Sequence, residues 1–496
     1  MQRLSLISLL SLAVLAAGSS AARAQTPDAQ PPAAGAAQPE PNSAAAPAEP
    51  APAPAPAPPP AAKPEAKPEG KPDAPPVMQT KWTTTFYGFV EGDLIWDSVQ
   101  GPNEGLGNGA LPRPAFQMLA ASYASQHSQF TTSARNSRIG FRIAAPAVND
   151  IKVSGQIEAD FVGNQPPAPI AEASLFGNAT LRLRHANVKI ETPVIDLLIG
   201  QAWQLFAWQP NTQSGSIQFQ GLPGFINQRA TQLRLSKTIK SGDVGVDIAV
   251  AASRPGHRAG GVPDGTVGLK LSYEGRKAFH IVGSSGSALE AAMIGVSAIG
   301  RRFSVREFKQ TPVDSVERNG YGLAINALIP VVPATKDSRT NAFTLMGEFI
   351  TGGGIADLYS GLTGGVSQAP PPNPTGMTPA PTYTPNYDNG LVMFKPDGSL
   401  HPVRWQSFGL GAQYFLPPSG KVGVIVNYSH LSSENAHAFG AATAVFDKQD
   451  FVDGNLIFDV TPAVRLGVDF VWLRQKYVDG AEAPDYRGQF TGLLIF

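Results

Sequence analysis

No cysteine occurs among the 496 residues, which removes any disulfide framework, thiolate metal site or cysteine nucleophile. Charge is scarce: Asp, Glu, Lys and Arg make up 15 % of the chain, against the roughly 25 % of ordinary globular domains. The 38 basic and 38 acidic residues cancel, so the strongly basic footprint of a nucleic-acid binder is missing and no such partner is expected. Long apolar runs are missing after residue 24, which leaves no later candidate for a membrane-spanning helix. Helical amphipathicity is sustained nowhere for more than a turn or two. Glycine (51) and proline (46) are plentiful instead, and low charge with much glycine suits an all-β chain whose outer surface need not face water.

Three segments follow from composition. Residues 1–24 carry Arg3, the apolar stretch "LSLISLLSLAVLAA" and the small-residue site Ala22-Arg23-Ala24, the tripartite pattern of a cleaved secretory signal. Residues 25–80 are low complexity, as in "APAPAPAPPPAAKPEAKPEGKPDAPP". They have too few large apolar side chains to pack, and their prolines favour extended polyproline II, so a disordered, semi-rigid periplasmic linker is expected. Residues 81–496 form the body.

Period two dominates that body. In "TTTFYGFVEGDLIWD", Phe86, Gly88, Val90, Gly92, Leu94 and Trp96 share one face, while Glu91, Asp93 and Asp97 share the other. In "NDIKVSGQIEADFVG", Ile151, Val153, Ile157 and Phe161 alternate with Lys152, Ser154, Gln156, Glu158 and Asp160. Similar stretches recur to the last residue, including "DVGVDIAVAA", "RWQSFGLGAQYFL" and "AVRLGVDFVWLRQKY". Such half-polar strands fit a soluble sandwich or a transmembrane barrel with lipid outside and water inside. The barrel is the better fit. The polar rows mix charges with Gly, Ser, Gln and Asn, and tight turns such as that after Asp459 contrast with a long Pro/Gly/Thr-rich stretch from Gly352 to about Pro402. The body divides comfortably into an antiparallel barrel of about 16 strands.

A barrel must close, because each unpaired backbone group in lipid costs several kcal/mol. The strand of "RGQFTGLLIF" therefore has to pair with the one near Phe86, which sets Phe490, Leu494 and Phe496 facing outward. This end resembles the C-terminal signal read by the barrel-assembly machinery of bacterial outer membranes, with Gly492 interrupting its apolar row.

Several stretches together are similar to the DcaP-like outer-membrane porins. They are "FYGFVEGDLIWD", the Ser137-Arg138-Ile139-Gly140-Phe141 core of "FTTSARNSRIGFRI", "KVSGQIEADFVG", "LRLRHANVKI", "LLIGQAWQLF", "NQRATQLRLS" and the last three predicted strands. Residues 255–400 carry little of the likeness, and the Pro/Ala arm differs from that family's helical N-terminal segment. The resemblance implies a homotrimeric channel for small hydrophilic solutes, embedded in outer-membrane lipid and associated with dicarboxylic and other anionic solutes.

A diffusion channel has no catalytic group, and its chemistry is the lining of its narrowest part. With Ile139, Phe141 and Ile143 facing lipid, Asn136, Arg138 and Arg142 face the lumen; the same parity places Lys152, Glu158, Asp160, Glu91, Asp93 and Arg234 inside. "LRLRHANVKI" breaks its alternation, since Arg182 and Arg184 share parity with Ala186, Val188 and Ile190. A β-bulge near His185 keeps both arginines inside and avoids the ~2–4 kcal/mol each would cost near the lipid midplane. The segment "AWQPNTQSGSIQFQGLPGFINQ" resembles the third loop that folds into such pores; Gln213, Gln218 and Gln220 would narrow the passage, with Trp208 and Phe219 bracing it. An arginine-lined constriction would favour small carboxylates, while arginines matched by Glu91, Asp93, Glu158 and Asp160 would make a general porin.

No metal, cofactor or catalytic residue is expected. "GLGNGA" (105–110) matches a dinucleotide fingerprint only loosely and runs into "LPRPAF" where a helix should start. The seven histidines have no zinc-ligand spacing, and no G-x-S-x-G elbow occurs. The competing classes are a barrel hydrolase, which needs a Ser-His pair on neighbouring strands, and a barrel tethered to the cell wall through its proline arm.

Overall fold

The computed structural model describes residues 81–496 except 101–103, 106–110, 112–122, 164–179, 219–220, 257–260, 308–312, 361, 363–389, 396, 440–445 and 479. The expected signal (1–24) and Pro/Ala linker (25–80) lie outside the described residues, as do Phe219 and Gln220.

Nineteen strands are described. They are β1 (Thr83–Asp97), β2 (Gln129–Ser133), β3 (Arg138–Ala144), β4 (Lys152–Asp160), β5 (Arg182–Glu191), β6 (Asp196–Trp203), β7 (Arg229–Ser241), β8 (Val244–Ser253), β9 (Asp264–Val282) and β10 (Gly286–Arg306). After these come β11 (Ser315–Val332), β12 (Phe343–Gly353), the small hairpin β13 (Val392–Phe394) and β14 (Leu400–Pro402), β15 (Arg404–Phe415), β16 (Val422–Ser433), β17 (Phe446–Thr461), β18 (Val464–Tyr477) and β19 (Glu482–Ile495).

Neighbours in sequence pair antiparallel all the way round, and β1 pairs with β19, so the sheet has no free edge. β2 and β3 lie end to end along β1 and count as one interrupted strand, giving a closed barrel of 16 strands. Closure places the chain end where the alternation required it. Phe496 and Gly88 exchange both backbone hydrogen bonds, at 2.9 and 3.0 Å. The Phe496 ring stacks on Phe86 with centroids 5.0 Å apart, and Phe86 lies 5.1 Å from Phe141.

The burial pattern reverses that of a soluble domain. Val90, Leu94, Ile157, Ile248, Val426 and Val468 point outward and are exposed, while their polar neighbours Asp93, Glu158, Asn427 and Asp469 are buried inside. Outward aromatics cluster at both ends of the strands. Phe86, Tyr273, Tyr414, Phe458 and Phe496 sit at one end, and Trp96, Phe130, Tyr321 and Tyr486 at the other. Two aromatic girdles around an apolar band mark a transmembrane barrel of the outer-membrane type. Among the described residues no helix is long and apolar enough to cross a membrane; the strands do the crossing. The outer membrane is therefore where this chain resides.

Connection lengths separate the two ends. At the end holding Thr83 and Phe496 the turns are short, such as 242–243 after β7 and 462–463 after β17. At the other end lie 98–128, 161–181, 204–228 and 354–403. In barrels of this type short turns are periplasmic and long loops external. The loop 204–228 folds inward and fills part of the lumen.

Candidate functional site

The inward loop is fixed where it leaves β6. Ala207 (φ 60°) and Trp208 (φ 47°) both occupy the left-handed region, which L-residues with side chains seldom adopt. Two bonds hold them there: the Ala207 N–H donates to Ser297 Oγ (2.8 Å), and Trp208 Nε1 donates to the Val296 carbonyl (3.0 Å). The indole lies flat on the inner wall because Gly268 and Gly295 leave room; a Cβ at either would come within 2.9 or 2.7 Å of the ring.

Farther along, the loop crosses the inner faces of β11 to β19. Asn326 Nδ2 donates to Thr212, and the Ile226 N–H to Glu348 (2.8 Å). Ser216 Oγ donates to Asp453 (2.7 Å), and Gln218 Nε2 to Asp469 (2.6 Å). Leaving a buried polar group without its partner costs about 1–3 kcal/mol, so these two contacts fasten the middle of the loop. Gln213 Nε2 donates to Gln209 (2.5 Å), within the loop itself.

What the loop leaves open is bounded on the other side by β3 to β7. The cavity there measures about 820 Å³ and is lined by Arg138, Arg142, Arg182, Arg184 and Arg229 across from Gln213, Ser214, Ser216 and Gln218. Arg182 grips Asp160 with two bonds, at 2.6 and 3.0 Å. Arg184 bridges Glu158 (2.7 Å) and Asp160 (2.9 Å), and Arg138 lies 3.7 Å from Glu158. Both Arg182 and Arg184 reach the lumen because the β4–β5 ladder shifts register between Glu158 and Ala159, leaving Arg184 as the extra residue. Leu181 and Leu183 face outward.

Two arginines stand differently. Arg142 lies over the Tyr87 ring (4.4 Å to the centroid) and Arg229 over the Trp203 ring (4.5 Å). Neither forms an ion pair among the described residues. Stacking engages the face of a guanidinium and leaves its in-plane N–H groups free to donate. Tyr87 is itself held, donating to Glu158 (3.0 Å) and accepting from Gln156 (2.7 Å).

The other candidates fall elsewhere. Arg234 lines a smaller cavity of about 350 Å³ that shares Arg142, Gln156, His185 and Trp203 with the main one and adds Lys189. It donates to Gln232 (3.0 Å) and to the Trp203 carbonyl. Lys152 is exposed at the start of β4, opposite Glu191 in the ladder and away from both cavities. Glu91 and Asp93 are buried and meet neutral donors rather than arginines. Asn136 (2.8 Å) and Ser284 (3.1 Å) donate to Glu91, while Thr491 (2.6 Å) and Gln489 (3.1 Å) donate to Asp93. Phe490, Leu494 and Phe496 all point outward.

Sequence reasoning missed Arg229 and the aromatic supports Tyr87 and Trp203. A signal was available for Tyr87, which shares parity with Glu91; Trp203 shares parity with the outward Ile199, so alternation would have set it on the lipid side. Arg229 opens its strand, where parity has few neighbours to count against. Among the described residues no cluster of His, Asp and Glu could hold a metal ion.

The fold and cavity define a class: a 16-stranded outer-membrane barrel narrowed by an inward loop, the architecture of the porin-type channels. The DcaP outer-membrane channel of Acinetobacter baumannii is similar to this chain in fold, with a TM-score of 0.60 and 18 % identity over 84 % of this chain and 97 % of that one. Weaker likenesses include an anion-selective porin from Comamonas acidovorans (TM-score 0.47, 11 % identity, covering 84 % and 100 %). OmpT of Vibrio cholerae in its trimer form is another (TM-score 0.46, 9 % identity, covering 84 % and 99 %). No family model matches the sequence, and no curated protein does either.

Proposed function

We propose that the chain is a porin through which small hydrophilic solutes diffuse passively, with a preference for small anions and carboxylates in particular. The observation that carries this reading is the imbalance of the cavity wall. Five arginines line it, and the carboxylates they meet, Glu158 and Asp160, engage Arg138, Arg182 and Arg184. That leaves Arg142 and Arg229 with their charge unmatched beside the passage. A ring of basic side chains biases a pore toward anions, and the fixed fork of arginine fits a carboxylate bidentately while a stacked, solvated site lets it leave again. The loop itself supplies neutral partners (Gln213, Ser214, Ser216, Gln218), and of the two carboxylates on that side of the lining Asp357 pairs with Arg301 while Glu348 accepts from the Ile226 N–H of the loop. Arg234 and Lys189 continue the basic track toward the short-turn end.

We further propose a secretory signal cleaved after residue 24, a Pro/Ala periplasmic arm and a homotrimer in the membrane. The test is reconstitution into a planar bilayer with reversal potentials in asymmetric salt. Stepwise conductance with anion preference is expected. No stepwise conductance would sink the porin reading, and cation preference would sink the arginine constriction.

A further inference from the structure

The hairpin joining β9 to β10 does not behave as a short periplasmic turn. The β8–β9 ladder ends at Tyr273 and the β10–β11 ladder at Met293, so residues 274–292 reach past the barrel wall. At Ala291/Ala292 the β9–β10 register jumps: Ala292 faces Tyr273 whereas Ala291 faces Lys277. The three residues skipped on β9, Glu274, Gly275 and Arg276, let the extension bend. It bends inward.

Its docking is built from the opposite wall. Gln413, buried on β15, uses both ends of its amide on one residue: Oε1 accepts from the Ile281 N–H (3.0 Å) and Nε2 donates to the Ile281 carbonyl (2.8 Å). Arg465 on β18 donates to the Ser284 carbonyl (2.9 Å) and to Ser287 Oγ (3.0 Å). Ser284 Oγ donates to Glu91 on β1 (3.1 Å). Ile281 is sealed in an apolar cluster with Ile217, Phe415, Ile425 and Ile457. The tip also meets the inward loop, where Gly215 and Gly283 form a parallel bridge, the Ser216 N–H donates to the Gly283 carbonyl (3.3 Å), and His280 Nε2 lies 2.7 Å from the Gln213 carbonyl.

Val282, Gly283, Ser284, Ser285 and Gly286 consequently form part of the cavity wall, facing the arginines from the same side as the loop. Resting on the channel reading above, we propose that this hairpin tip is the second rim of the constriction. The loop enters from the external end and the hairpin from the periplasmic end, and together they set the size limit. The charge preference is set separately by β3 to β7. The division follows from chemistry: the tip offers backbone, glycine and serine, and it carries no charge into the cavity.

Replacing residues 274–291 with Asn-Gly tests it directly, because Tyr273 and Ala292 are already ladder partners and a two-residue turn suits such a pair. In a variant that keeps its heat-modifiable gel migration, single-channel conductance should rise about twofold or more, as a widened constriction requires. Larger neutral sugars and polyethylene glycols should then enter in liposome-swelling assays; size alone is read from this variant, because the shortening also uncovers Glu91 and Arg465. Ser285→Trp adds bulk at the tip without shortening it and should lower conductance and the size limit, with the anion-to-cation permeability ratio within a small factor of the parent's; it stands as the test if the shortened chain does not fold. A conducting parent whose variants show unchanged conductance and size limit overturns the hairpin proposal alone. So does a lost anion preference in Ser285→Trp. A parent that carries no current overturns the channel reading and this proposal with it.

Discussion

The two halves of the lumen wall are woven from the same alternating strands, yet they end up in opposite conditions. From β10 to β19 the inward-facing polar side chains are covered by the loop 204–228 and the β9–β10 hairpin, and they are spent on structure. Asp453 and Asp469 hold the loop, Gln413 and Arg465 hold the hairpin, and Arg487 closes on Asp97 with bonds of 2.6 and 3.1 Å. From β3 to β7 the wall borders the open cavity among the described residues, and Arg142 and Arg229 keep their charge toward it. The difference teaches that a lumen-facing charge becomes functional only where no second layer of chain lies over it. Parity alone puts Arg142 and Arg487 on the same footing.

That contrast can be broken from its structural side first. Arg487→Ala strands Asp97 in a site where both side chains are essentially inaccessible. Breaking such a buried pair costs about 3–5 kcal/mol, so the denaturant midpoint of the heat-modifiable gel shift should fall steeply; a shift under about 1 kcal/mol would put Arg487 among the solvated charges. Gln218→Leu leaves Asp469 buried without its donor, costing ~1.5–3 kcal/mol locally. Its expected signature is a noisier open-channel current and faster proteolysis within the loop, with the barrel itself intact.

The functional side should respond in charge rather than stability. Arg142→Glu combined with Arg229→Glu should move the anion-to-cation permeability ratio by about tenfold at low salt, and less above a Debye length of ~10 Å. An unchanged ratio would return the lumen to the general-porin reading. The smallest effect belongs to Lys189→Ala. Its pair with Glu191 is half exposed at 2.8 Å, and such pairs are worth about 0–1 kcal/mol, so the unfolding midpoint should stay near the parent's.

Particular elements show why some of this was readable in advance. A strand repeats its two faces without reference to anything distant, so Phe86 to Trp96 announced an outward row and Glu91 to Asp97 an inward one. The same logic demanded an irregularity in "LRLRHANVKI", and the register shift at Glu158/Ala159 supplies it. The fates of Glu91 and Asp93 were not readable. They face the lumen as Glu158 does, but they meet Asn136, Ser284, Gln489 and Thr491 instead of arginines, three of those partners lying far along the chain. The hairpin escaped for a related reason. "HIVGSSGSAL" reads locally as any tight turn between strands, and only its fit against Gln413 and Arg465 turns it inward.

The sequence by itself determined the barrel, its lipid-facing side and its closure at Phe496, because period two and the need to pair every backbone group in lipid are local and general constraints. Tertiary structure alone decided which inward residues face open space. That depends on where the loop and the hairpin come to rest, and their resting places are set by buried carboxylates, one glutamine and one arginine brought together from strands remote in the chain.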